Sequence, residues 1–259
     1  MYKMKKYIAA FILASFAVSQ VIAKSNTRIG LSSSLEASQT VKPNHTVLNK
    51  LLNTYVNGAG VVNYKAFLKD KLTLQQYLKS LANVKVNTLS KDEQLAFWIN
   101  VYNAATIDQI LRNYPVKSIM DISGGKVWDQ KLPYTFAGKS YTLNEIEKVK
   151  LIEELDDARV HFAVNCAAIS CPKLLNKAYT ADNIQSLLNA NTSAFLNDTE
   201  FNKLSPAKAQ LSNIFNWYKA DFAKAEGSVA AFINKYAKVK IKENTPLSYI
   251  NYNWSLNDK

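Results

Sequence analysis

Apolar residues recur at helical spacing through the first half of the chain. After Thr46 they follow the 3.6-residue period of one helix face, and Gly58 with Gly60 ends that helix. The members of this face are Val47, Leu48, Leu51, Leu52, Tyr55 and Val56. Residues 67–81 repeat the pattern, so the sequence predicts two amphipathic helices before residue 82.

The clearest helix is predicted from Ser90 to about Asn113. Ser90 and Glu93 form a capping box, in which each side chain bonds the backbone N–H of the other, and Pro115 limits the far end. The centre, residues 96–105, is apolar on nearly all sides. Such a helix is buried all round.

Asn100 and Asn103 lie three residues apart on that buried helix and therefore share a face. An unpartnered buried amide costs about 1–3 kcal/mol. Both side chains are therefore expected to make specific hydrogen bonds. A functional alternative is that either amide orients a histidine or donates to an oxyanion.

The second half mixes helix and strand signals. Residues 131–142 are typical of a hairpin, Thr142 with Glu145 forms a second capping box for a helix to about 155, and residues 160–164 are typical of a buried strand. Further helices are predicted over 180–195, after Ser212 and over 228–236, with strands at 238–241 and 249–254. The order predicts a single α+β domain, with a helix-rich N-terminal half packed on a small, mostly antiparallel sheet.

Residues 1–23 are typical of a secretory signal peptide. Three lysines precede an apolar core over 7–18, and Ala23 ends a small-residue cleavage site. This core is shorter than the ~20 residues that span a bilayer, so no transmembrane anchor is expected after cleavage. We therefore predict export to the periplasm or the exterior, a flexible leader over 24–42, and one domain over 43–259.

Composition and charge narrow the possible partners. The chain is 48% hydrophobic, as in globular proteins, and carries 32 Lys and Arg against 20 Asp and Glu. Loss of the three lysines of the signal peptide lowers the net charge from +12 to +9. The basic surface favours anionic envelope components, whereas scattered lysines without an arginine–aromatic run argue against a specific nucleic-acid site.

Candidate chemistry concentrates between His161 and Pro172, a segment that holds both cysteines and one of the two histidines. The first hypothesis is a thiol-dependent hydrolase or acyltransferase with Cys166 as nucleophile and His161 as base, distantly similar to papain-like and transglutaminase-like enzymes. In a strand these two side chains point to opposite faces, so a direct pair requires a bulge or sharp turn. Cys171 is the second candidate if Pro172 begins a helix.

Other roles for the same residues remain open. In an oxidising compartment Cys166 and Cys171 could form a disulfide, or both could be inert buried thiols. A zinc site lacks an evident fourth ligand, and a four-residue spacing fits redox exchange poorly. The sequence predicts no metal, no cofactor and no particular partner. The competing function is a non-catalytic binding or scaffold domain.

Four blocks of sequence together resemble the domain-of-unknown-function 547 family. They are residues 97–104, 141–147, 159–172 and 215–222, and the resemblance extends over most of 47–236. It implies exported single domains in bacteria and domains behind a coiled coil in plants, with no particular reaction. The positions that match the family signature are Trp98, Asn100, Asn103, Glu147, Arg159, His161, Cys166, Cys171 and Pro172. Lys148 departs from it, because the family often has histidine there.

The remaining candidates are pocket or orienting residues. Glu147 and Asp221 orient His161 if folding brings them to it, and Trp98 is expected in the core or a pocket wall. Arg159 is expected to pair with Asp156, Asp157 or a buried acid. His45, at a helix entry, is expected to be exposed.

Overall fold

The fold is organised around one long helix, α4, which spans Lys91–Asn113. The structure is a computed structural model that describes residues 42–259. The expected signal peptide, its cleavage site and nearly all of the leader lie outside the described residues. Within the described part, Ser90 Oγ accepts from the Glu93 N–H at 3.3 Å while Glu93 Oε2 accepts from the Ser90 N–H at 2.9 Å, so the predicted capping box is confirmed.

Helices account for most of the regular structure. The shorter α-helices are α1 Thr46–Tyr55, α2 Tyr64–Phe67, α3 Lys71–Ser80, α5 Ile184–Leu196, α6 Ile214–Trp217, α7 Lys219–Glu226 and α8 Val229–Tyr236. A π-helix spans Glu145–Glu154, and 3₁₀ turns span Leu68–Asp70, Val86–Thr88, Ile119–Gly125, Val127–Asp129 and Ala158–Phe162. The helical predictions near 46–56, 67–81, 90–113, 180–195 and 228–236 are confirmed.

The sheet is small and mixed. Its strands are β1 Lys203–Leu204, β2 Ala209–Ser212 and β3 Leu247–Ile250, in the order β1-β2-β3. β1 pairs antiparallel with β2, whereas β2 pairs parallel with β3, so that Ala209 faces Leu247 and Ser212 faces Ile250. The α+β class is confirmed, with one of the two strand pairings parallel rather than a mostly antiparallel sheet.

The predicted strand at residues 160–164 is wrong. The Val160 carbonyl accepts from the N–H groups of both Ala163 and Val164, so the segment closes its hydrogen bonds locally as a 3₁₀ turn. A short buried apolar run does not distinguish a strand from a buried turn, because both are apolar on every side. The opposite-face argument for His161 and Cys166 therefore no longer applies.

Three other predictions also need correction. Residues 131–142 form a turn with a single bridge between Phe136 and Lys139 rather than two strands. Residues 238–241 are irregular, and the strand expected over 249–254 is β3, which ends at Ile250. No helix begins at Pro172, so Cys171 does not lie at a helix N-terminus.

Two apolar clusters support the fold. The larger one surrounds α4 and includes α1, α3 and the π-helix. The smaller one is aromatic, with Phe162 packed against Phe195, Phe215, Phe222 and Phe232 at ring-centroid distances of 5.3–6.1 Å.

Within residues 42–259 no helix combines the length and the apolar character needed to cross a membrane.

His45 is buried, which corrects the expectation that it is exposed. Its Nδ1 atom lies 2.7 Å from the Tyr77 hydroxyl, and its Nε2 atom has no hydrogen-bond partner among the described residues. Burial disfavours the charged imidazolium and lowers the pKa of His45 to about 4.

We expect acid to destabilise the fold through His45. Because the folded-state pKa lies below the usual value of 6.5, this contribution to stability is complete above pH 6.5 and is lost as the pH falls through about 4. Between pH 6.5 and 4 the unfolding free energy of the unsubstituted protein should fall about 2–3 kcal/mol more than that of His45→Gln, measured by urea titration. Parallel curves for the two proteins would contradict this assignment.

Candidate functional site

A cleft of about 290 Å³ opens where the two apolar clusters meet. Its wall is largely aromatic and its polar groups are few. The aromatic side chains are Tyr102, Trp128, Trp217, Tyr218, Tyr252 and Trp254, and the polar or reactive ones are Asn144, Glu147, Lys148, His161, Cys166 and Cys171. The structure thus brings Glu147, His161 and both cysteines to one cavity.

Two asparagines hold the backbone that leads into the cysteine loop, residues 166–171. Asn103 Nδ2 donates to the Ala163 carbonyl at 2.9 Å, and Asn103 Oδ1 accepts from the Asn165 N–H at 2.8 Å. Asn165 in turn donates from Nδ2 to the Pro172 carbonyl at 2.8 Å and accepts from the Ala167 N–H at 2.9 Å. These bonds fix both ends of the loop and supply the sharp turn that the sequence alone left open.

The loop backbone itself folds back tightly. Ala167 has φ +63°, in the left-handed region that residues with a Cβ rarely adopt. The Cys171 N–H then donates to the Ala168 carbonyl at 3.1 Å. This conformation returns Cys171 toward Cys166.

The C-terminal segment lies along the same loop and brings Tyr252 to the thiols. Ile169 N–H donates to the Ser255 carbonyl at 2.8 Å, and Asn253 N–H donates to Ser170 Oγ at 2.9 Å. Tyr252 lies 86 positions from Cys166 in the chain, yet its hydroxyl is 3.1 Å from Cys166 Sγ. No signal near Tyr252 in the sequence indicates this contact.

Both cysteines are free, and their sulfur atoms are in direct contact. The Sγ atoms lie 2.6 Å apart, and the Cys166 N–H donates to Cys171 Sγ at 2.8 Å. Cys166 is half-buried and lines the cleft, whereas Cys171 is only 7% exposed. Cys166 is therefore the sulfur that a solute in the cleft reaches more readily.

The two thiols titrate as a pair with opposite shifts. Burial raises the pKa of Cys166. Hydrogen bonds from Cys171, Tyr252 and the Ala168 N–H together lower it by more than burial raises it, so the pKa lies below its usual value. Burial and the bond to Cys166 raise the pKa of Cys171 well above its usual value. Burial also raises the pKa of Tyr252, so its hydroxyl keeps the proton that it donates. The arrangement favours a thiolate at Cys166 and a protonated thiol at Cys171.

His161 is oriented by an acid and a stacked ring. Its Nε2 atom bonds Asp221 Oδ2 at 2.8 Å, and its ring stacks on Tyr218 with centroids 3.8 Å apart. The Nδ1 atom is buried without a hydrogen-bond partner and lies 3.8 Å from Glu147 Oε1. Among the described residues His161 makes no hydrogen bond to either sulfur, so the cleft contains His161 and Cys166 without a direct dyad.

Glu147 reaches the cleft from the π-helix, a helix type that is rare and often found at functional sites. The Tyr218 hydroxyl donates to Glu147 Oε1 at 2.5 Å. Glu147 and Asp221 thus flank the same imidazole, as expected if both orient His161. The neighbouring Lys148 is exposed, lines the cleft and has no ion-pair partner within residues 42–259.

Other predicted residues lie outside the cleft. Asn100 donates to the Tyr179 carbonyl at 2.8 Å and accepts from the Tyr179 N–H at 3.0 Å, so it ties α4 to backbone. Trp98 is buried in the main core with its ring 5.1 Å from that of Tyr141. Arg159 pairs at 2.6 Å with Asp157, one of the acids that the sequence left open, and also bonds side chains of α5.

Packed aromatic rings form one wall of the cleft. Trp217 stacks on Trp254 with centroids 5.9 Å apart, and Tyr252 lies 4.6 Å from Trp254. Trp217 is 47% exposed, an unusual state for so large an apolar side chain.

Across the described part of the chain, no three His, Cys, Asp or Glu side chains gather where they would hold a metal ion.

The fold and the cleft define an α+β domain with a paired-thiol site. Residues 86–196 match the family model described as "Protein of unknown function, DUF547". This match confirms the resemblance found in the sequence over that segment, which is less than half of the chain. The match includes the blocks at 97–104, 141–147 and 159–172, whereas the block at 215–222 lies beyond it. No curated protein and no solved structure gives a significant match.

Proposed function

We propose that this domain catalyses thiol-dependent acyl transfer, as a hydrolase or an acyltransferase acting on an amide or peptide bond. The observation that carries the proposal is the Cys166 thiol, which faces an aromatic cleft with hydrogen-bond donors placed to favour its thiolate. The thiolate rather than the thiol is the nucleophile in such chemistry. Hydrogen bonds from Tyr252 and Cys171 replace the direct histidine base of the initial hypothesis.

In the proposed reaction Cys166 Sγ attacks the carbonyl carbon of the substrate and forms a thioester. The bond from that carbon to the leaving nitrogen breaks, and the amine leaves with a proton from the cleft. Water or a second nucleophile then attacks the thioester carbon, gives its proton back to the cleft and releases Cys166 as thiolate. Two transfers through one covalent intermediate balance the reaction without any further reagent.

His161 is the proposed group for proton transfer to the leaving amine. Asp221 holds Nε2, which leaves Nδ1 as the imidazole nitrogen that lacks a partner. A histidine held at one nitrogen by a carboxylate has a fixed orientation and a stabilised charged form. Glu147, held by Tyr218, lies close enough to Nδ1 to stabilise the imidazolium after the ring gains a proton.

The experiment that tests this proposal is acylation of the reduced protein by p-nitrophenyl acetate, an activated ester that needs no specific binding. We expect a burst of nitrophenolate and the mass of one acetyl group on the peptide that contains Cys166. Acetyl groups confined to lysines, with no burst, would overturn the proposal.

A second candidate function is favoured by the contact between the sulfurs themselves. At 2.6 Å the two sulfurs are close enough for a structural disulfide to form with little movement, as a scaffold or binding domain would use it. In that case the protein isolated without reductant has no free thiol, and its thermal stability falls when the bond is reduced. An equally stable reduced form would argue against this alternative.

The compartment is also a proposal. A signal peptide over 1–23 would deliver the domain to the periplasm or the exterior, where its basic surface would meet anionic envelope components. Mass spectrometry of the exported fraction tests this directly, with a mature N-terminus at Lys24 as the expected result.

A further inference from the structure

The contact between the two thiols has a consequence beyond acyl transfer. A nucleophilic cysteine needs a base or donors around it, but it does not need a second thiol in direct contact with it. In this structure Cys171 Sγ lies 2.6 Å from Cys166 Sγ and has little exposure of its own. A more accessible thiol beside a buried partner thiol is the arrangement found in peroxide-reactive cysteine pairs.

We propose that Cys166 is a site of oxidation by hydroperoxides and that Cys171 resolves the oxidised product as an intramolecular disulfide. The substrate class is a hydroperoxide, either hydrogen peroxide or an organic one. The oxidation itself does not depend on whether Cys166 also transfers acyl groups.

The reaction balances in two steps. The Cys166 thiolate attacks the terminal oxygen of the hydroperoxide, the O–O bond breaks, and the alcohol or water leaves after taking a proton from solvent. Cys171 Sγ then attacks the sulfenic sulfur of Cys166, the S–S bond forms, and the sulfenic oxygen leaves as water with the Cys171 proton. The pair loses two electrons to the peroxide, and a small dithiol returns them when it reduces the disulfide.

The loop geometry separates the roles of the two sulfurs. Both cysteines line the cleft, but Cys166 is half-buried and is reached by a peroxide more readily, whereas Cys171 is almost fully buried. A disulfide requires the sulfurs to approach to about 2.05 Å, which is a shift of roughly half an ångström from their present separation. The left-handed Ala167 and the bonds of Asn165 already hold the loop closed.

The shape of the cleft bears on which peroxide reacts faster. Trp217, Tyr252 and Trp254 form an apolar wall beside Cys166. Apolar surface of this kind gains free energy when it covers the apolar part of a solute. An organic hydroperoxide such as cumene hydroperoxide is therefore expected to react faster than hydrogen peroxide.

The test uses the full reduced chain with one equivalent of either peroxide at pH 7. We expect both thiols to disappear together, the intact mass to fall by two hydrogens, and a peptide that joins Cys166 to Cys171 to appear. The donors at Cys166 Sγ favour its thiolate, whereas a cysteine of ordinary pKa is only about 3% thiolate at pH 7. Oxidation of Cys166 should therefore be about tenfold faster than oxidation of a cysteine in a short peptide. Dithiothreitol should restore both thiols.

Two variants assign the roles. Cys171→Ser should stop at a sulfenic acid that dimedone traps on Cys166, and Cys166→Ser should leave Cys171 unoxidised over the same time. Both variants are compared with the unsubstituted protein by circular dichroism to show that they fold. The proposal is overturned if folded, unsubstituted protein reacts no faster than the peptide, or if oxidation adds oxygen atoms without joining the two cysteines. If the protein forms the disulfide but is not acetylated by p-nitrophenyl acetate, the acyl-transfer proposal is rejected and the peroxide proposal stands.

Discussion

Replacing Cys166 by serine is expected to lower the rate of acyl-enzyme formation with p-nitrophenyl acetate by at least about a thousandfold. A serine hydroxyl at this position has the same donors around it, but its much higher pKa leaves it protonated. Because no histidine or carboxylate of residues 42–259 bonds Cys166 Sγ, no base among them compensates for the loss of the thiolate. Stopped-flow measurement of nitrophenolate release gives the rate.

Cys171→Ser is the matched control for that variant. Its hydroxyl retains a donor beside Cys166, so the rate is expected to stay within about tenfold of the unsubstituted protein. Equal losses in the two variants would show that the thiols act only as a structural pair. A Cys166→Ser protein that keeps its burst would remove Cys166 from the mechanism.

Replacing Asn103 by alanine is expected to lower the free energy of unfolding by about 2–5 kcal/mol. The side chain is buried and serves both the Ala163 carbonyl and the Asn165 N–H, which would lose their partners together. Each unsatisfied buried group costs about 1–3 kcal/mol. Urea unfolding followed by circular dichroism measures the change.

Asn113→Ala provides the comparison within the same helix. Asn113 ends α4 in an exposed position, where its amide bonds only the Gln109 carbonyl and water can replace that bond. Its substitution should cost no more than about 0.5 kcal/mol. Similar costs for Asn103→Ala and Asn113→Ala would contradict the role given to Asn103 in holding the cysteine loop.

The sequence predicted the long helix and its asparagines well, because those predictions depend on local rules. A capping box, an apolar period and a proline set the ends of α4 within a residue or two. A buried amide must have partners, and both Asn100 and Asn103 have them. The partner of each is a backbone segment more than 50 positions away, which no local pattern specifies.

The surroundings of Cys166 were not predictable in the same way. Tyr252 and Tyr218 reach the cleft from distant segments, and neither differs in its local sequence from an ordinary core tyrosine. The apolar run at 160–164 has the same composition in a strand and in a buried 3₁₀ turn. This local ambiguity produced the expectation that His161 and Cys166 point apart.

The pairing of Asp221 with His161 was predictable only in part from the sequence. The sequence makes Asp221 an orienting residue only if folding brings it near His161, and the Nε2–Oδ2 distance of 2.8 Å meets that condition. Residue 148 is lysine rather than a second histidine, so His161 is the one histidine among the described residues that line the cleft. Proton transfer in the proposed mechanism therefore depends on His161 alone.

The most direct test of the central claim is the pH dependence of Cys166 alkylation by iodoacetamide in the reduced, native protein. We expect Cys166 to be labelled first, with a midpoint below the ordinary thiol pKa of ~8.5, because donors from Cys171 and Tyr252 stabilise its thiolate. Tyr252→Phe should move that midpoint upward. A midpoint at or above ~8.5, or preferential labelling of Cys171, would contradict the claim that Cys166 is an activated nucleophile.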